Sequence, residues 1–130
     1  MGAHTINDLV DKRASMRLRM LELAGQFLRR CLRDVISSRD LLARLRCGDA
    51  SVFEELERLA HRISGTGASF GFPTLSSGAG CIERLAQGQS GSATPDQVAI
   101  ARLSECIIGL EREIHHLILA ADADRPRDSR

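Results

Sequence analysis

A chain of 130 residues is one domain's length, enough for a single core and too short for two. Hydrophobic residues make up 43% with no Trp or Tyr, so Leu, Ile, Val, Met and Ala must build that core, which favours packed helices over a sheet. The formal net charge of +1 excludes a global polyelectrolyte, yet ten basic side chains between Lys12 and Arg46 stand against only Glu22, Asp34 and Asp40. That segment reads either as a solvated helix face or as a docking surface for an acidic partner. Nucleic acid fits it less well, because Phe27 is its only aromatic residue.

In chain order, residues 5–13 suit a short helix, with Thr5 as N-cap and Ile6, Leu9 and Val10 sharing a face. A long helix follows over residues 15–46. Met20, Ala24, Phe27 and Cys31 form one stripe of it, widened by Leu21, Leu28, Leu32, Val35 and Leu42, and Gly48 is placed to end it. Ser51 and Glu54 have the spacing of a capping box for the next helix. There Phe53, Leu56, Ala60, Ile63, Gly67 and Phe70 alternate three- and four-residue steps, as the seam of a bundle does, up to Gly71. Pro73 suits the first turn of a third helix, which buries Leu75, Ala79, Ile82 and Ala86, with Gly78 and Gly80 suggesting close helix contact. Residues 86–97 read as a loop. Thr94 caps Pro95 at the start of a last helix carrying Val98, Ala101, Leu103, Cys106, Ile107, Leu110, Ile114, Leu117 and Ile118. The expected fold is all-α, an antiparallel four-helix bundle with a short extra N-terminal helix: one domain over residues 1–121 and a flexible tail over 122–130.

The first residues lack the apolar region of a secretory signal, and the uncharged stretch 63–82 is too rich in Gly, Ser, Thr and Pro to span a membrane. Cys31, Cys47, Cys81 and Cys106 form no CxxC pair and read as buried thiols in a reducing cytosol, with a zinc site assembled from distant Cys and His as the alternative. No P-loop, Rossmann glycine pattern, HExxH or nucleophile elbow occurs. His115-His116 reads as a solvated pair.

His61 is the residue that stands out. At 100° per residue it points about 130° away from the apolar seam of its helix, so it is expected to be exposed. Glu57, Arg58, Ser64, Gly65 and Ala68 surround it on that surface. Gly65, one turn further on, costs a helix about 1 kcal/mol relative to alanine. Leaving the imidazole open to a large partner is a reason to keep it; an ordinary surface histidine beside a frayed helix end is the alternative.

The stretch ELERLAHRISGTGASFG resembles the signature of histidine-containing phosphotransfer (HPt) domains, approximately A-H-x-L-K-G-S-x-x-x-x-G. Ala60, His61, Ile63, Gly65, Thr66 and Gly71 match it in register. The resemblance implies a phosphocarrier rather than an enzyme, one that takes a phosphoryl group from one receiver-domain aspartate and gives it to another through Nε2 of His61. It further implies that Glu83, twenty-two residues on, accepts a hydrogen bond from Nδ1 and orients the ring; a surface ion pair with Arg84 or Arg62 is the other use for that carboxylate. The family usually has lysine where this chain has Ser64. Serine brings a hydrogen bond without charge, leaving phosphate support to Ser64 itself and to Arg58, Arg62 or the basic segment.

The expectation is a cytoplasmic, free-standing carrier in a multistep phosphorelay. Response-regulator receiver domains would be its partners, with a hybrid histidine kinase as a further one, and neither nucleic acid nor membrane. The chain needs no cofactor, since Mg²⁺ belongs to the receiver. An accessible histidine argues for a monomer. The alternative function is a degenerate module that binds receivers as a scaffold or competitor without carrying phosphate.

Overall fold

The structure is a computed structural model and describes residues 2–89, 91 and 95–124, with side chains from Thr5 onward. Four helices follow in order: α1 (Gly2–Arg46), α2 (Val52–Ser69), α3 (Pro73–Gly88) and α4 (Gln97–Asp124), with no strand among the described residues. Each packs on two neighbours in the cycle α1–α2–α3–α4–α1, and among the described residues the backbones of diagonal pairs do not approach closely. Neighbours run antiparallel. Arg29 meets Asp122 and Arg39 meets Glu111 between α1 and α4, while Arg44 reaches Glu55 across the first turn.

The core follows from the apolar periodicity. Leu28, Val35, Leu56, Ile63, Ile82 and Ile114 are each at most 2% exposed, and covering such a side chain is worth roughly 1.5–3 kcal/mol. Glycine ends the first two helices in one way. At Gly71 the backbone turns left-handed (φ 77°), so Gly71 N–H reaches the Ala68 carbonyl and Phe72 N–H reaches that of Gly67. Gly48 (φ 97°) repeats this for α1, using the carbonyls of Leu45 and Arg44. Pro73 opens α3 with its fixed φ, and Phe70 and Phe72 both stack on Phe27.

Several expectations need correction. No break separates residues 5–13 from 15–46. The intervening stretch holds neither glycine nor proline, so the expected extra helix is the first turns of a continuous α1. Met20 is 53% exposed because no neighbouring helix among the described residues reaches its level. The capping box does not form. Ser51 has helical angles and bonds through N–H and Oγ to Asp49 Oδ1, making Asp49 the residue that caps α2. Those bonds from Ser51, and then Arg44, hold the Asp49 carboxyl below its ordinary value. Thr94 lies outside the described residues. Pro95 precedes rather than opens α4, whose cap is Asp96, its Oδ1 accepting from Val98 N–H. Val98 is 58% exposed, one position off the stripe set by Ile100, Leu103 and Ile107. Gly78 does meet another helix, since a Cβ there would sit 3.3 Å from Leu110; Gly80 approaches only Arg84 of its own helix. Cys47 is exposed rather than buried, as it sits in the turn after α1. Residues 122–124 are helical, and 125–130 lie outside the described residues.

Candidate functional site

His61 sits on the outer face of α2 with its side chain 76% exposed. Its neighbours Ala60 and Ile63 are buried, so the helix is anchored immediately beneath the ring. Across the α2–α3 seam, Glu83 places Oε2 2.6 Å from His61 Nδ1. The Glu83 side chain is 20% exposed, held against the bundle while the imidazole it meets faces solvent. A carboxylate only accepts, so Nδ1 carries the proton in this bond, and in the neutral ring Nε2 then keeps the lone pair. Among the described residues Glu83 makes no ion pair with Arg84 or Arg62.

The seam is built to bring these two together. Gly67 lets α2 approach α3 closely, since a Cβ there would meet the Leu75 side chain at 3.5 Å and the Ser76 backbone at 3.6 Å. Ser76 Oγ donates to the Ser64 carbonyl at 2.8 Å, and the two serine hydroxyls lie 3.2 Å apart. On the far side of the His61–Glu83 contact, Gln87 donates to Glu57 at 3.1 Å. Three polar rungs thus tie α2 to α3, and the middle one carries the imidazole. The outer rungs are not legible in the motif. Their signal is the helical repeat, with Glu57 one turn before His61 and Gln87 one turn after Glu83.

His61 opens onto a shallow depression of about 980 Å³ lined by Ser37 and Leu41 of α1, Arg58 and Arg62 of α2, and Glu83 and Gln87 of α3. Arg58 and Arg62 are exposed, and among the described residues neither guanidinium pairs with a carboxylate. Ser64 is turned away from this depression, half-buried in the seam against Ser76. Gly65 is exposed and a Cβ on it would touch nothing within 4 Å, so no atom of this chain requires the glycine. Beyond Gly65 a second groove, about 430 Å³, is lined by Phe27, Arg30 and Arg33 of α1 and by Thr66 and Phe70 of α2. The basic excess of the sequence is therefore partly gathered beside the histidine. Among the described residues no three His, Cys, Asp or Glu side chains are placed to hold a metal ion.

An outward imidazole with one nitrogen held by a carboxylate thus stands on the second helix of an antiparallel four-helix bundle. The sequence pattern of the Hpt domain family matches the chain over residues 19–120, and the chain belongs to that family. Hpt domains are the histidine phosphotransfer modules of phosphorelays, carriers of a phosphoryl group rather than catalysts. No curated protein and no solved structure gives a match. No helix among the described residues is long and apolar enough to cross a membrane.

Proposed function

We propose that this protein relays a phosphoryl group between receiver-domain aspartates through Nε2 of His61, as a cytoplasmic intermediate with no enzymatic activity of its own. The observation that carries the reading is the 2.6 Å contact between His61 Nδ1 and Glu83. The Nε2 lone pair attacks the phosphorus of a receiver's aspartyl phosphate, an N–P bond forms, and the bond to the carboxylate oxygen breaks. The aspartate leaves with the electron pair. The ring keeps its Nδ1 proton and becomes cationic, and Glu83 faces that charge from 2.6 Å. Return transfer reverses each step. Metal chemistry is left to the receiver, whose Mg²⁺ and lysine stabilise the phosphoryl group in flight.

Gly65 leaves room for the receiver's surface one turn from the ring. Arg58 and Arg62 take over the charge that lysine at position 64 would bring, as guanidinium groups pair well with phosphate oxygens. The engagement of Ser64 with Ser76 favours one second reading, a module that binds receivers without carrying phosphate, because it leaves no hydroxyl turned to the ring. Incubation with phosphorylated receiver domains separates the two. Acid-labile, base-stable label on the wild type but not on His61→Gln is the expected outcome. Receiver binding without label in either protein would replace the carrier with the scaffold.

A further inference from the structure

α1 is much longer than the bundle it serves. Phe27 stacks on Phe70 at the end of α2, and Arg29 meets Asp122 near the described end of α4. Every residue from Thr5 to Met20 is exposed. The helix therefore projects past its neighbours by some twenty residues, roughly 30 Å.

This projection is not patterned as a solvated helix. Ile6, Leu9, Val10, Met16, Met20 and Leu23 recur at helical spacing with exposures between 44% and 68%. At 100° per residue Ile6, Leu9, Val10 and Met20 lie within about 70° of the direction set by Leu28, Cys31, Val35 and Leu42, all buried in the bundle, with Met16 and Leu23 at the edge of that face and Arg13 and Arg17 within it. An apolar seam interrupted by arginine thus runs on for about five turns beyond the described helices that cover α1. An uncovered helix of this length is marginal in water. Its six apolar side chains offer roughly 600–700 Å² on each copy, above the few hundred Å² of an ordinary monomer surface.

We propose that this segment pairs with the same segment of a second copy as an antiparallel coiled coil, making the protein a dimer. Two such faces bury together roughly 1,200–1,400 Å², within the range of specific interfaces. A two-fold pair needs one self-complementary patch, and the stripe is one. Run antiparallel, Ile6 meets Leu23, Leu9 meets Met20 and Arg13 meets Met16 of the other copy. A parallel pair would instead set Arg13 against Arg13 in the seam. His61 shares its depression with Ser37, fourteen residues and roughly 20 Å along α1 from Leu23. Both phosphotransfer faces stay open in such a dimer, so the access that argued for a monomer is met here as well. Lys12, Arg13, Arg17 and Arg19 would also suit an anionic lipid surface. Asp8, Asp11 and Glu22 on the same stretch leave only one net positive charge.

The test is sedimentation equilibrium of the full chain from micromolar to hundreds of micromolar, joined to amine cross-linking, for which Lys12 is the only lysine. Expected are a reversible dimer and a Lys12–Lys12 cross-linked peptide. The double variant Leu9→Glu/Met20→Glu loses both while its bundle unfolds at an unchanged temperature. A wild type that stays monomeric overturns the proposal, and one that instead sediments with phosphatidylserine vesicles assigns the stripe to a membrane. A dimer that survives the double variant overturns it too, because its interface lies elsewhere. Wild type mixed with Arg13→Glu shows no preference for the mixed pair in an antiparallel dimer; a strong preference would overturn that orientation.

Discussion

Two exposed faces of the bundle carry histidine beside a carboxylate, and only one of the two pairs joins two helices. On α2, His61 meets Glu83 at 2.6 Å, and that carboxylate comes from another helix, where little else competes for it. On α4, His115 lies 3.9 Å from Glu111 of its own helix, and Glu111 already accepts a bond from Arg39. The environments of the two carboxylates look alike by burial alone, at 20% and 13% side-chain exposure. What differs is direction. An i,i+4 pair along one helix is held by nothing but two side-chain rotamers and is worth a few tenths of a kcal/mol. A cross-helix pair flanked by the Glu57–Gln87 and Ser64–Ser76 rungs is fixed by the packing of two helices. Exposure makes an imidazole reachable; only the seam sets its tautomer.

The largest effect that could break this comparison is on labelling. His61→Gln removes all transferable phosphate, whereas His115→Gln and His116→Gln keep it, as phosphotransfer gels with receiver partners would show. Glu83→Ala should slow transfer by roughly tenfold or more, the usual scale for losing a group that orients a functional imidazole. Glu111→Ala should leave the transfer rate alone and lower stability by no more than about 1 kcal/mol through the lost Arg39 pair, readable in urea melts. The two faces of α2 separate in the same way. Ile63→Ala, beneath the site, costs about 2–5 kcal/mol of folding free energy, while His61→Gln stays within about 0.5 kcal/mol. Gly65→Ala should raise stability slightly, by up to about 1 kcal/mol. It should nevertheless slow transfer from receivers while leaving labelling by a small donor such as phosphoramidate untouched. Equal slowing with both donors would mean that Gly65 serves the ring itself and not a partner's access.

Reactivity of the thiols sharpens the contrast between faces further. Burial, then Asp34, pushes the Cys31 thiol up to about 12. Burial, then its neighbour Cys81, raises Cys106. Thiolate is the reacting form. Iodoacetamide near neutral pH should therefore modify exposed Cys47 first and Cys31 last, a ranking that peptide mass mapping checks.

Much of this organisation is legible in the sequence, for a physical reason. Core stripes such as Phe53, Leu56, Ala60 and Ile63 repeat at the helical period, and Gly48, Gly71 and Pro73 punctuate the chain because few other residues suit those backbone positions. The same period points His61 away from the seam. Less legible is where a stripe stops being covered. Met20 and Cys31 look alike in sequence, and only the lengths of α2 and α4 decide that one is open and the other buried. Caps are hard to place for a related reason. Ser51 is a good capping residue by type and Pro95 a good first helical residue, yet Asp49 and Asp96 accept the backbone N–H bonds there. Ser64 shows the limit of reading a motif alone. Its position beside the histidine suggests support for phosphate, and its hydroxyl instead closes a rung with Ser76.

In the proposed relay Glu83 holds the Nδ1 proton of His61 and leaves Nε2 as the nucleophile. Long-range ¹H–¹⁵N NMR of the labelled protein, before and after phosphorylation with phosphoramidate, reads both nitrogens directly. The expected result is His61 protonated on Nδ1 before the reaction and carrying phosphate on Nε2 after it, with His115 and His116 unchanged. Phosphate on Nδ1 of His61, or on either α4 histidine in its place, would contradict it.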